Sequence, residues 1–128
     1  MVVEDEILIR ITVAEHLRGS GYTVVEAANA EEAIAVFASG EPIDVVFTDV
    51  NMPGPMNGLS LARWIGRHHP FVPVLLTSGD GDDPTQPAEF FLAKPYRVGA
   101  VPNRLRSLLE KRQASGSFIL NPAVGPSR

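Results

Sequence analysis

The chain has 128 residues, a net charge of −4 at pH 7 and a hydrophobic content of 45%, which fits one domain with a single core. The acidic balance argues against nucleic-acid binding, and the absence of cysteine excludes disulfides, thiolate metal sites and cysteine nucleophiles. No apolar stretch is long enough to span a membrane and no signal peptide is apparent, so a cytoplasmic protein without membrane partners is expected.

Short apolar runs alternate with helical patterns along the chain, which predicts an α/β protein with a parallel sheet. The predicted strands cover residues 1–3, 22–26, 43–48, 74–77 and 90–93. The predicted helices cover residues 7–18, 30–39, 58–68 and a last segment that ends near Arg112. The last three strands are continuous apolar runs, as expected for strands covered on both faces.

Two segments interrupt this alternation. Residues 79–89 contain two prolines, two glycines and four acids, so a loop or a single turn is predicted instead of a helix. Residues 113–128 are rich in Ser, Gly and Pro, and a flexible tail is predicted there. The predicted domain therefore covers residues 1–112.

Polar residues lie at the ends of four of the five predicted strands. They are Glu4, Asp5 and Glu6 after the first strand, Asp49 and Asn51 after the third, Thr77 and Ser78 at the fourth, and Lys94 after the fifth. Because the carboxyl ends of parallel strands share one edge of an open sheet, these side chains are predicted to meet in one pocket.

The acids of this pocket fit a magnesium site. Asp5 and Asp49 offer carboxylate oxygens, Asn51 offers its backbone carbonyl, and Glu4 is placed to reach the ion through water. The alternative is that the acids at 4–6 only cap the following helix, and for Glu6 that interpretation is preferred.

Asp49 is also placed to act as a nucleophile. A strand-end carboxylate can attack phosphorus to give an acyl phosphate, although Asp49 can also be interpreted as a turn residue. Phosphoryl transfer depends mainly on positioning and on charge neutralisation. Magnesium and Lys94 are predicted to supply the charge, and the Ser78 hydroxyl a hydrogen bond to a phosphoryl oxygen. The Lys94–Pro95 bond is a candidate cis bond.

Four motifs in this order resemble the receiver domain of two-component response regulators over about residues 1–112. They are Val-Val-Glu-Asp-Glu at 2–6, Phe-Thr-Asp-Val-Asn-Met-Pro-Gly-Pro-Met-Asn-Gly at 47–58, Pro-Val-Leu-Leu-Thr-Ser-Gly at 73–79 and Phe-Phe-Leu-Ala-Lys-Pro-Tyr at 90–96. The resemblance implies a doubly wound, flavodoxin-like (βα)5 sheet in the order 2-1-3-4-5, here with the fourth helix shortened or missing.

The resemblance also implies roles for individual residues. Asp49 would accept a phosphoryl group from a sensor histidine kinase or a phosphotransfer protein, with Mg2+ as cofactor. Ser78, five residues after Pro73, would be the switch hydroxyl, and Phe91, three residues before Lys94, the switch aromatic. The chain is then expected to be a phospho-acceptor with self-phosphatase activity, not an enzyme acting on a separate substrate.

In this family the first helix and the loop after the conserved lysine meet the kinase. The residues that match this surface are Leu8, Ile11, Thr12, Glu15 and Tyr96. Asn51 and Asp80 match positions that influence hydrolysis of the acyl phosphate. No output domain follows, so a stand-alone receiver acting on a downstream protein, or one cut from a larger kinase, is expected.

Two alternatives remain open. A pseudo-receiver would bind partners without being phosphorylated. A small aspartyl phosphatase of the haloacid-dehalogenase type would also use a strand-end Asp, but that class carries Asp-x-Asp where this chain has Asn51 as the second residue.

Overall fold

A computed structural model describes residues 1–79 and 87–119, with side chains through Gln113. The strands are β1 (Val2–Val3), β2 (Glu26–Ala27), β3 (Val46–Asp49), β4 (Val74–Ser78) and β5 (Phe91–Ala93). The helices are α1 (Ile7–Gly19), α2 (Ala30–Ala38), α3 (Gly58–His68) and α4 (Ala100–Ile119), and a 3-10 turn covers Ala88–Phe90. The strands form one parallel sheet in the order β2-β1-β3-β4-β5, which confirms the predicted fold class.

The sheet separates two layers of core, because successive side chains of a strand point to opposite faces. Val2 and Phe47 pack with α1 and α4 on one face. Val3 and Val46 pack with α2 and α3 on the other. Since both faces of the central strands are buried, the alternation of hydrophobic and polar residues seen in half-exposed strands is missing there.

Helix α2 begins at Ala30, as predicted, and the side chain of Asn29 before it accepts a hydrogen bond from the Glu32 N–H at 2.8 Å. Helix α3 fully buries Leu61 and Ile65, whereas Leu59 and Ala62 are half-buried.

Two strands differ from their predicted ranges by more than one residue. β2 was predicted at 22–26 but is confined to Glu26–Ala27, because β1, its only strand neighbour, is two residues long. β3 begins three residues later than predicted and ends on Asp49 itself, paired with Thr77 of β4. The predicted nucleophile is thus the last residue of the central strand.

Helix α4 extends beyond its predicted end near Arg112 and reaches Ile119. Once a helix has formed, each further residue adds a hydrogen bond at little cost, and no proline follows before Pro122. The flexible tail predicted for residues 113–128 is thus helical through Ile119, and its remainder lies outside the described residues.

The crossover between β4 and β5 is described at its two ends. Gly79 forms a bend, and Pro87 leads into the 3-10 turn at Ala88–Phe90. The part of the predicted 79–89 loop that includes Asp80, Asp82 and Asp83 lies outside the described residues. The 3-10 turn is held by α4, since Arg104 donates to the carbonyls of Ala88 and Phe91 at 3.0 and 2.6 Å. Among the described helices, none is long and apolar enough to cross a membrane.

Candidate functional site

The strand ends bring the predicted polar residues together at the carboxyl edge of the sheet. Parallel pairing sets Val3 beside Thr48 and Asp49 beside Thr77, so the acids that follow β1 lie next to the end of β3. Ser78, the last residue of β4, pairs with Ala93, the last residue of β5. Lys94 therefore follows directly after the paired ends of these two strands. The sheet register therefore determines which side chains share the site.

Asp49 lies at the centre of this site and is only 5% exposed. Its Oδ2 accepts a hydrogen bond from Lys94 Nζ at 2.7 Å, and its Oδ1 accepts one from the Asn51 N–H at 3.0 Å. A buried carboxylate is costly unless it is paired and hydrogen-bonded, and both conditions are met here. Asp49 is therefore held in one orientation by one strand-end cation and one backbone donor.

The acids beside Asp49 form a site with oxygen ligands. One carboxylate oxygen each from Glu4, Asp5 and Asp49 lies within 4.8 Å of the others. Asp5 is exposed, whereas Glu4 is 4% exposed and its Oε2 accepts from the Glu6 N–H at 3.1 Å. Three oxygen donors at this spacing fit a hard divalent cation such as Mg2+, which takes carboxylates together with water.

The crowding of these acids is visible in the pKa of Glu4. The pKa of Glu4 is raised to about 7, mainly by burial and also by the charge of Asp49 and a hydrogen bond to Asp5. The Glu6 N–H and the charge of Lys94 act in the opposite direction and lower this pKa. Ionised carboxylates thus repel one another at this edge of the sheet. A bound cation would relieve that repulsion.

Lys94 remains a cation at this position. Burial lowers the pKa of Lys94, but its hydrogen bond to Asp49 and the charges of Asp49 and Glu4 raise the pKa by more. The Lys94–Pro95 bond is cis.

Ser78 joins the site through Asn51, whose Nδ2 donates to Ser78 Oγ at 3.3 Å. Ser78 is 2% exposed, and the neighbouring Thr77 hydroxyl is buried without a hydrogen-bond partner among the described residues. Phe91 of β5 is 6% exposed and pairs in register with Leu76 of β4. Its side chain is therefore buried.

Gly58 is a site residue that the sequence analysis missed. A Cβ at this position would lie 2.1 Å from the Asp49 carbonyl oxygen, and the Gly58 N–H donates to the Val50 carbonyl at 2.9 Å. Only glycine permits the start of α3 to lie this close to the end of β3. The sequence analysis predicted that the helix begins at residue 58, but nothing in the spacing indicated the contact with Asp49.

The predicted partner-binding residues lie beside the site on α1 and on the loop after β5. Leu8 is 77% exposed, Ile11, Thr12 and Glu15 are exposed, and Tyr96 is half-buried against Phe47. Leu8, Thr12 and Tyr96 line a groove of about 660 Å³ that also reaches Lys94. Ile7, also exposed, extends the apolar surface of α1 and was not predicted. Ile11 and Glu15 are not among the residues that line the groove.

Comparison with known proteins agrees with this geometry. A family model for the response regulator receiver domain matches residues 1–106. The chain is 33% identical over 119 residues to the sensor kinase CckA of Brucella abortus, covering 88% of this chain and 12% of that protein. It is 35% identical to the DNA-binding transcriptional regulator NtrC of Salmonella typhimurium, covering 94% of this chain and 27% of that protein.

Among solved structures, the receiver domain of NtrX from Brucella abortus matches with a TM-score of 0.72 and 30% identity, covering 85% of this chain and 96% of that one. The chain thus spans a small part of the CckA and NtrC proteins but nearly the whole of an isolated receiver structure.

Replacing Gly58 with alanine is expected to destabilise the fold, because the new Cβ would overlap the Asp49 backbone. Overpacking of this kind costs about 1–3 kcal/mol, and a backbone contact places Gly58→Ala at the upper end. Gly66 provides a matched control in the same helix, since a Cβ there meets nothing within 4 Å. Gly66→Ala should stabilise by roughly 0.5–1 kcal/mol. Urea unfolding measures both, and equal stability of Gly58→Ala and wild type would contradict the close contact.

Proposed function

The chain belongs to the response regulator receiver domain family, and we propose that it accepts a phosphoryl group on Asp49 from a histidine kinase or a phosphotransfer protein. The observation that carries this proposal is the buried Asp49 carboxylate paired with Lys94 beside two further acids. A site built to hold a structural ion pair does not need the extra acids, which raise the cost of burial.

In the proposed reaction an Asp49 carboxylate oxygen attacks the phosphorus of the donor. A P–O bond to Asp49 forms as the P–N bond of the phosphohistidine breaks, and the imidazole leaves with the electron pair. Lys94, 2.7 Å from Asp49 Oδ2, stays close to the charge that accumulates on the transferred group. With a small donor such as acetyl phosphate, the P–O bond to acetate breaks instead.

Mg2+ is the cofactor that we propose for this site. Asp5 and Asp49 would hold it directly, the Asn51 carbonyl would be a further ligand, and Glu4 would contact it through water. When bound, a divalent cation neutralises the negative charge of the acids and of the incoming phosphoryl group.

We propose that Ser78 and Phe91 form the switch. The Ser78 hydroxyl lies beside Asn51, two residues from Asp49, and is positioned to move toward a phosphoryl group there. That movement would leave room into which the buried Phe91 ring rotates. Phosphorylation would thus bias a two-state element by contacts made in one state only.

The two alternatives are less well supported. A pseudo-receiver has no need for the complete set of Asp5, Asp49, Ser78 and Lys94. A phosphatase of the haloacid-dehalogenase type needs a second acid where Asn51 lies. We therefore propose a phospho-acceptor that hydrolyses its own acyl phosphate, with Asn51 and Asp80 tuning the rate.

Incubation with acetyl phosphate and Mg2+ should add one phosphate to the intact mass of the wild-type chain. Asp49→Asn should abolish the adduct. Asp5→Asn should abolish Mg2+-dependent phosphorylation while leaving the fold intact or stabilised, because like-charge repulsion falls. The decay of the adduct after removal of the donor measures self-dephosphorylation. An adduct that persists in Asp49→Asn would refute the assignment of the acceptor.

Beryllofluoride, which mimics a bound phosphoryl group, should draw Ser78 Oγ toward Asp49 and rotate the Phe91 ring into the space that Ser78 leaves. A crystal structure of that complex measures both movements. In Ser78→Ala the Phe91 ring should stay in its original rotamer, because the hydroxyl that moves is absent. An unmoved Ser78 in the wild-type complex would refute the switch.

Leu8→Glu should slow phosphotransfer from the cognate kinase, because the apolar groove beside Lys94 is the proposed docking surface. Transfer from acetyl phosphate should be unaffected. Phe71→Glu is a matched control, since Phe71 is 45% exposed and lies after α3, outside the groove. Equal slowing with both donors would show that Leu8 supports the fold, and slowing by Phe71→Glu would show that any added charge weakens docking.

A further inference from the structure

Arg10 of α1 joins the ends of two neighbouring strands. Its NH1 donates to the backbone carbonyl of Glu4 at 2.9 Å, and its Nε donates to Glu26 Oε1 of β2 at 3.3 Å. The Arg10 side chain is 16% exposed. Arg10 thus contacts the backbone immediately before Asp5 without touching Asp49 or Lys94 in any hydrogen bond described.

Glu4 is held at three points, and Arg10 supplies one of them. The Glu4 N–H donates to the Ala27 carbonyl at 3.0 Å, and Glu4 Oε2 accepts from the Glu6 N–H at 3.1 Å. The Glu4 carbonyl is held by Arg10. Because β1 itself is only two residues long, little ladder pairing fixes the turn that carries Glu4 and Asp5.

We propose that Arg10 is a positioning residue that holds Glu4 and Asp5 in place for the divalent cation. The inference rests on the proposed function, since it concerns the same metal site. The carboxylates of Glu4, Asp5 and Asp49 lie within 4.8 Å of one another and repel when they are ionised. Arg10, which is also bonded to Glu26, opposes their separation because it holds the backbone carbonyl of Glu4. This contact leaves the carboxylate oxygens available to the cation.

The role needs the geometry of arginine and not only its charge. Two different nitrogens of one planar group reach two acceptors on separate strands, which a single ammonium group does not reproduce. Lysine at this position would keep the charge and lose the double contact. Arg10→Lys therefore separates positioning from electrostatics.

Arg18 provides a matched control in the same helix. Its NH2 donates to Glu26 Oε2 at 3.2 Å and its NH1 to Glu15 Oε1 at 2.8 Å. It shares the Glu26 anchor with Arg10, but no hydrogen bond of Arg18 to Glu4 is described. Arg18→Ala therefore removes one cation from Glu26 and leaves the contact to the Glu4 carbonyl intact.

The test is a Mg2+ titration of the full, unphosphorylated chain, followed by the NMR amide signals of Glu6 and Asn51. Loss of an outer-shell partner typically weakens metal binding 10–100-fold, so Arg10→Ala and Arg10→Lys should raise the Kd for Mg2+ about tenfold. Arg18→Ala should keep the wild-type Kd. Saturating Mg2+ should restore the rate of phosphorylation by acetyl phosphate in both Arg10 variants, because the reacting groups are unchanged.

Several results would overturn the proposal. A wild-type Kd in Arg10→Lys would mean that charge alone suffices, and a loss in Arg18→Ala equal to that in Arg10→Ala would mean that the effect passes through Glu26. If Arg10→Ala fails to fold, Arg10→Lys decides the question. A wild-type chain that binds no Mg2+ would instead refute the metal site of the proposed function, and this inference with it.

Discussion

The burial of the Asp49 carboxylate at the end of the central strand is the constraint on which the rest of the site depends. A charge that is 5% exposed has lost most of its hydration and must be compensated by fixed groups. Lys94 Nζ and the Asn51 N–H supply that compensation on the two oxygens of the same carboxylate. The nearby Glu4 acts in the opposite direction, since its raised pKa reflects both its own burial and the charge of Asp49. The charges around Asp49 are therefore balanced, and a bound cation or phosphoryl group would change that balance.

The fold meets this constraint by bringing backbone unusually close to Asp49. β3 ends on Asp49, and α3 begins at Gly58 against the Asp49 carbonyl. The two ends of the loop between them are therefore in contact. The N-terminal side is looser, because β1 and β2 pair over only two residues each. Side-chain contacts take over there: Arg10 links Glu4 to Glu26, and Arg18 links Glu26 to Glu15 and to the Val24 carbonyl. Backbone packing therefore holds Asp49, whereas side-chain hydrogen bonds and ion pairs hold the segment around Glu4.

The sequence predicted the parts of the site that follow from strand ends sharing one edge. Asp49, Lys94, Ser78 and the acids after β1 belong to this class, because each directly follows an apolar run. Gly58 and Arg10 escaped prediction for a different reason: their contacts depend on the path of a loop and on the reach of a long side chain. The late start of β2 at Glu26 and the late end of α4 at Ile119 were missed. The length of a strand depends on how far its neighbour pairs with it, and a helix continues until a residue stops it. The residues at 80–86 remain a prediction, and so do the roles assigned to Asp80 and to the metal.

Contacts from α4 restrict the movement of Phe91 in β5. Phe91 is fixed on one side by pairing with Leu76 of β4 and on the other by Arg104, whose NH2 donates to the Phe91 carbonyl at 2.6 Å. The same guanidinium group also holds the carbonyl of Ala88, and Lys111 pairs with Glu89. The backbone of Phe91 therefore has little freedom to shift without moving α4. In the proposed switch, movement of Ser78 toward Asp49 would either rotate the Phe91 side chain or displace α4 through Arg104. Either change would act on β5 and on α4, which packs with α1 on the same face of the sheet.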